Sequence, residues 1–302
     1  MSIYPKVALS KSILLWFLAA LIMLAAVIYQ RKTGPTYPLR GEVEIAGMAK
    51  KYKLIRSDWS IKSNDAARVI LPSFGDDLKA TLQYKRFRTA DEFSLVHFEK
   101  ETNEDGEEIL VALLPAQPAA GKLEYFLQLE KSDGEMRIPA DKENIIIRFK
   151  DNVPTFVLAP HVIMMFFSVL IGMRAGLGAI WAPGTMRRWS WVAFIGMTIG
   201  GMVLGPFVQK YAFGEFWTGF PWGSDWTDNK MLLMWVAWLV AVAVIGFKEQ
   251  SKESLSRWII VIASIVMTGV YLIPHSMGGS ELNYEAVDQG LDPSKAITTG
   301  KK

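Results

Sequence analysis

Five apolar runs constrain this chain more than any other feature. Ile13–Tyr29, Phe156–Met173, Trp189–Val208, Met231–Phe247 and Trp258–Pro274 each hold about 17 to 20 residues and no charged side chain. That is the length a helix needs to cross a hydrocarbon core with every backbone group satisfied internally. The last four follow one another closely, a spacing that soluble folds do not use. The expectation is an α-helical membrane protein with five transmembrane helices, the last four forming a C-terminal bundle over 154–280. A composition that is 51% hydrophobic agrees. The net charge of +3 is too small and too dispersed for a nucleic-acid partner. There are no cysteines, which excludes disulfides, thiolate metal sites and a cysteine nucleophile.

Basic residues between the runs predict the orientation. Arg174, Arg187 and Arg188 lie between the second and third runs, and Lys248, Lys252 and Arg257 between the fourth and fifth. The loop after the third run, 211–230, has only Lys230 and the preceding Lys210 nearby. The two basic loops are therefore expected in the cytoplasm of a bacterium. Residues 33–153, the loop 211–230 and the C-terminus are then periplasmic, on the outer face of the inner membrane. Residues 1–32, with Lys6 and Lys11 ahead of the apolar run, fit an uncleaved anchor better than a cleaved signal peptide.

The periplasmic segment has a different texture. EVEIAG, ARVILP, KATLQYKRF, FSLVHFE, EILVALLP, KLEYFLQLE, EMRIP and NIIIRFK are short alternating or β-branched strings separated by turn signals. They predict an inserted antiparallel β-sandwich of immunoglobulin or fibronectin type over 33–153. His97 falls in one of these strings as an ordinary exposed strand residue. No phosphate loop, HExxH or Ser-His-Asp pattern appears in the segment, so it reads as a binding or docking module. Whether the protein is an enzyme stays open. Residues 281–302 are expected as a flexible C-terminal tail.

The loop FWTGFPWGSDWTDNK, from Phe216 to Lys230, combines Trp217, Trp222 and Trp226 with Asp225, Asp228 and Lys230. The acids suit cap positions at the start of the fourth run, with Thr227 or Asp228 as the N-cap. His161 lies just inside the outer end of the second run and His275 just beyond the outer end of the fifth. Two imidazoles at matched depth beside an aromatic loop are a candidate pair of axial ligands for a b-type haem. Tryptophan also favours membrane interfaces for reasons unrelated to any cofactor.

The order of a histidine-bearing helix, a tryptophan loop and a closing His-Ser resembles the haem-handling proteins of cytochrome c biogenesis, the CcsA, CcmC and CcmF type. The residues that carry the resemblance are WGSDWTDNK, PHVIMMFFSVLIG and YLIPHSMGG, within 155–280. The resemblance implies haem b held by His161 and His275 as iron ligands, with Trp217, Trp222, Trp226, Asp228 and Lys230 around it. It departs from the family pattern where Asn229 replaces a proline and a tryptophan is missing before Asp228. The whole chain is similar to envelope proteins of the Bacteroidota. Two readings follow: a b-haem protein in haem handling, cytochrome c maturation or electron transfer, partnered by a periplasmic cytochrome, or a cofactor-free assembly subunit of a larger membrane complex.

Overall fold

The computed structural model describes residues 4–45, 47–63, 65–75, 78–131, 134–141, 143–248, 253–274 and 279–298. Five helical spans are long and apolar enough to cross a membrane. They are α1 (Leu9–Thr33), α2 (Thr155–Trp181), a composite third span (Pro183–Phe213), α5 (Trp226–Ile245) and α6 (Glu253–Leu272). The third span contains α3 (Met186–Met197), a π-helical segment (Thr198–Leu204) and α4 (Gly205–Phe213). The wider π turn coincides with Gly200 and Gly201. Gly214, at φ 89°, ends α4 in the left-handed conformation that glycine adopts freely.

Helix α2 is central and packs against α1, α3 and α6. Its contact with α6 is close because Gly172 and Gly176 face that helix one turn apart. A Cβ on Gly176 would lie 2.5 Å from Ser264 Cβ, and one on Gly172 would lie 2.7 Å from Met267 Sδ. This is the small-xxx-small packing of apolar helices. Trp238 of α5 fills the adjoining core, fully buried, and its Nε1 donates to Met267 Sδ at 3.2 Å.

The basic residues at one end of the bundle answer the backbone as well as any membrane field. Arg257 donates to the carbonyls of Ala179 and Ile180 at the end of α2, at 2.7 and 3.0 Å. Arg187 donates to Ile245 O at the end of α5, at 3.0 and 3.1 Å, and pairs with Glu253 at 3.0 Å. Helix C-termini carry unpaired carbonyls and partial negative charge, so cations stabilise them.

The β-rich region sits at the opposite end. It holds β1 (Leu39–Ile45), β2 (Met48–Leu54), β3 (Ser57–Trp59), β4 (Ala66–Pro72), β5 (Lys79–Arg86) and β6 (Ser94–His97). β7 (Glu99–Thr102), β8 (Glu108–Pro115), β9 (Lys122–Lys131), β10 (Gly134–Ile138) and β11 (Ile145–Lys150) complete it. β1 and β2 form a hairpin; one sheet runs β3-β11-β9-β5-β6 with β10 beside β9, and another runs β4-β8-β7. One core draws on both sheets. Alternate residues Leu123, Tyr125, Leu127 and Leu129 of β9 meet Val69 and Leu71 of β4 and Leu114 of β8 there.

All eight expected strings are strands, with three differences. β2 and β3 add strands that charge and brevity obscure, the string around Phe98 divides between two sheets, and β3 pairs with β11 in parallel. His97 is an exposed residue of edge strand β6. Trimming one methyl from the core, Ile147→Val, should cost about 0.5–1.5 kcal/mol because the surroundings cannot collapse fully into the void. Denaturant unfolding followed by a β-sheet circular-dichroism signal would measure it, and the helical signal should not shift.

The segment expected as a flexible tail is structured over its described part. β12 (Glu281–Leu282) pairs with β13 (Ile297–Thr298), and α7 (Tyr284–Asp288) lies between them. Leu282 N donates to Ala120 O at 3.1 Å, and Tyr284 Oη both accepts from Lys122 N and donates to Lys122 O at 2.9 Å. Arg86 reaches across to Asp288 at 2.7 Å while also holding Asp91. Through the hydrogen bonds from Arg86, both carboxyls sit below the usual carboxylate range.

Candidate functional site

The tryptophan loop is built on a buried polar knot. Asp225 is the N-cap of α5, its Oδ1 accepting from Thr227 N at 2.8 Å. The cap therefore falls earlier than the Thr227 or Asp228 expected from sequence. Its Oδ2 accepts from Thr218 Oγ1 at 3.0 Å and from Ser280 N at 3.1 Å. Asp228, in the first turn of α5, accepts from Thr218 N at 2.6 Å. Gln209 of α4 donates to Thr218 Oγ1 from the other side. Asn229 Oδ1 takes the N–H of Phe220, so this side chain pins the loop.

Two cations complete the knot. Arg148 of β11 is 7% exposed, donates to Ser280 O at 3.1 Å and lies 3.9 Å from the centroid of the Phe213 ring. Burial pulls its pKa down to about 10, against the attraction of Asp225 and Glu281, so it stays charged at neutral pH. Lys230 of α5 donates to Ile273 O and Pro274 O at 2.7 and 2.8 Å, capping the end of α6. The loop, the helix ends, β11 and the C-terminal segment are thus tied together through side chains that water does not reach.

Beside the knot lies a cavity of about 350 Å³, within the usual range for small-ligand sites. His161, Trp217, Asp228 and Lys230 line it, with Met165 and Met231 among its apolar walls. Leu158, Val162 and Phe166 also line it and are exposed on α2, so the cavity opens sideways on the flank of the bundle. His161 Nδ1 is 2.8 Å from Gly200 O, in the π segment. A carbonyl only accepts, so Nδ1 carries the proton and Nε2 keeps its lone pair. Among the described residues nothing pairs with that nitrogen.

Four of the sequence-predicted site residues therefore meet at one cavity. Trp222 and Trp226 do not line it; they are 72% and 54% exposed, beside exposed Phe216 and Phe220. That exposed group has the composition of an interfacial aromatic belt. Trp217 alone turns inward, donating from Nε1 to Phe220 O at 3.0 Å. His275 lies outside the described residues. Among those described, no group of three His, Asp or Glu side chains could hold a metal ion.

Sequence reasoning missed Thr218, Gln209, Ser280, Arg148 and the π segment. Two signals were available: a Gly-Gly pair in the middle of an apolar run, and a lone arginine inside NIIIRFK. A wider cleft of about 700 Å³ separates residues 86–91 from the C-terminal segment. Its charges other than Glu285 are paired with one another, Arg86 with Asp91 and Asp288, and Lys122 and Arg88 with Glu281. No protein-family model, curated protein or solved structure matches this chain.

Proposed function

We propose that this protein binds a b-type haem at the membrane surface next to its β-rich region, and serves in haem handling, cytochrome c maturation or electron transfer. In the orientation that the basic loops favour, that surface is the periplasmic face of a bacterial inner membrane. The observation that carries the reading is the state of His161. Its Nδ1–H is fixed by a backbone carbonyl, the arrangement that orients metal-ligating imidazoles, and its Nε2 is left with a lone pair at an apolar cavity.

The residues present fit such a group in kind. His161 would supply an iron ligand, the methionine and aromatic walls would take an apolar ring, and Lys230 has one ammonium hydrogen beyond the two it gives to Ile273 and Pro274. That hydrogen suits a propionate. Pro274, the last described residue before His275, is the one whose carbonyl Lys230 holds. A bound haem supplies one-electron chemistry; the chain's part is to hold, orient and shield it.

The visible spectrum of the purified protein, with and without added hemin, tests this. A Soret band with sharp α and β bands on reduction is expected. His161→Ala should abolish the band or convert it to a high-spin form, and His97→Ala should leave it unchanged. A colourless protein that also fails to take up hemin would overturn the reading.

The polar knot favours a second reading, a cofactor-free assembly subunit with the β-rich region as its docking module. Every carboxylate of the knot already has protein partners, as structural joints require. A colourless protein that co-purifies with a defined membrane complex would support it.

A further inference from the structure

At the end of the bundle away from the β-rich region, α2 carries a guanidinium that the fold does not answer. Arg174 is 0% exposed. It precedes the end of α2 at Trp181 by about two turns, ~10 Å along the axis. Among the described residues its Nε, Nη1 and Nη2 all lack a hydrogen-bond partner and it forms no ion pair. Arg187 and Arg257, at the same end of the bundle, spend theirs on helix-end carbonyls. A buried cation without an anion is among the most costly residues a span can hold, and such residues mark binding sites or relays.

The surroundings of Arg174 are specific. Its guanidinium carbon lies 5.6 Å from the centroid of the Trp16 ring. Trp16 meets Trp189 edge to face at 5.0 Å, and the guanidinium of exposed Arg188 lies 4.8 Å from the Trp189 ring. Two indoles therefore bridge a surface cation and a buried one. Trp16 is only half-buried, and α1 is anchored by Leu15, Ala19, Met23 and Ala26 while most of its other large residues are exposed. Access to Arg174 from the bundle's flank would require this indole to swing aside. Thr185 faces the same place: a Cβ on Gly178 would lie 2.9 Å from Arg174 Nη1 and 3.2 Å from Thr185 Oγ1.

We propose that Arg174 and Arg188 form a site for a phosphate-bearing anion, with Trp16 and Trp189 as its walls. The guanidinium fork matches two phosphate oxygens. Indoles and arginines at this level of a span suit a phospholipid headgroup, with the acyl chains lying along α1. A lipid headgroup and free phosphate share this chemistry, and the test separates them.

Thermal unfolding of the full-length protein would be compared in nanodiscs of phosphatidylcholine alone and with added phosphatidylglycerol, and in detergent with and without inorganic phosphate. The anionic lipid should raise the midpoint by roughly 2–4 °C. The rise should vanish in Arg174→Met and shrink in Arg188→Ala, whereas Lys11→Ala, which removes an exposed cation of the same end, should keep it. A rise with the lipid alone assigns a headgroup, and one with phosphate as well assigns the free anion. Native mass spectrometry of bound phospholipid on Arg174→Lys serves if the methionine variant does not fold, and loss of the bound lipid is expected. Equal shifts in wild type and Arg174→Met, an equal loss in Lys11→Ala, or full lipid retention by Arg174→Lys would overturn the proposal.

Discussion

Replacing Asp225 by alanine is expected to cost about 3–5 kcal/mol, because it removes the stronger of the two carboxylate attractions on a buried guanidinium. The carboxylate does two jobs with two oxygens. Oδ1 caps α5, and losing a cap of this kind costs about 1 kcal/mol. Oδ2 gathers Thr218 and Ser280 and faces Arg148, which is buried. Without Asp225, that guanidinium keeps the Ser280 carbonyl, the Phe213 ring and the weaker attraction of Glu281. Asp225→Asn should fall between, since the amide oxygen can still accept. Denaturant unfolding of the purified protein gives the free energies, and limited proteolysis reports release of residues 279–298. Combining Asp225→Asn with Arg148→Met should recover part of the loss, since the double change removes both charges. A cost below about 1 kcal/mol for Asp225→Ala would show that the knot does not join the two halves of the chain.

Gly176→Leu should prevent the bundle from closing. Even the first carbon of a new side chain would stand 2.5 Å from Ser264 Cβ and 2.4 Å from Ser264 Oγ, where real contacts do not occur. The hydroxyl can rotate, but Ser264 Cβ is fixed to the backbone of α6. The two helices must then separate, which breaks the packing around Trp238 and Met267. Overpacking usually costs about 1–3 kcal/mol, and a four-carbon intrusion at a helix–helix contact lies above that range. The expected outcome is loss of the monodisperse peak in size-exclusion chromatography. Gly176→Ala should be milder and should be relieved by Ser264→Gly, which removes the atoms it strikes. If Gly176→Leu were as stable as wild type, α2 and α6 would not be in contact as described.

The spans were legible because they rest on length and uninterrupted apolarity, and these need no partner to interpret. The Gly172–Gly176 spacing is a small-xxx-small pattern that the sequence reading passed over, because glycines within an apolar run do not show which helix they face. In the β-rich region, β9 announces itself through strict alternation, whereas Lys50, Lys51 and Lys53 mask β2. Phe98 hides a break, since the chain passes from one sheet to the other there without a turn signal. Arg148 is misleading in a different way. The alternation of Ile145, Ile147 and Phe149 puts it on the outer face of β11, and that face turns out to be covered by the C-terminal segment. Its partner Ser280 lies 132 residues away, a separation that no local pattern reports. The same holds for Thr218 with Ser280 and Lys230 with Ile273. His161 was found as a residue type at a depth, but its tautomer depends on a carbonyl of a π turn on a neighbouring helix.

The knot at Ser280 also imposes an order on how the chain can be assembled. Residues 279–298 follow every membrane span in the sequence, so a ribosome makes them after both the β-rich region and the helices. Until they emerge, Arg148 has no carbonyl to hold, and the ledge formed by Ala120 and Lys122 is bare. A nascent chain interrupted between Leu272 and this segment would contain both halves without the hydrogen bonds that Ser280 makes to Arg148 and Asp225. Quality control at the membrane could therefore distinguish finished from unfinished chains by whether Ser280 has reached Arg148 and Asp225.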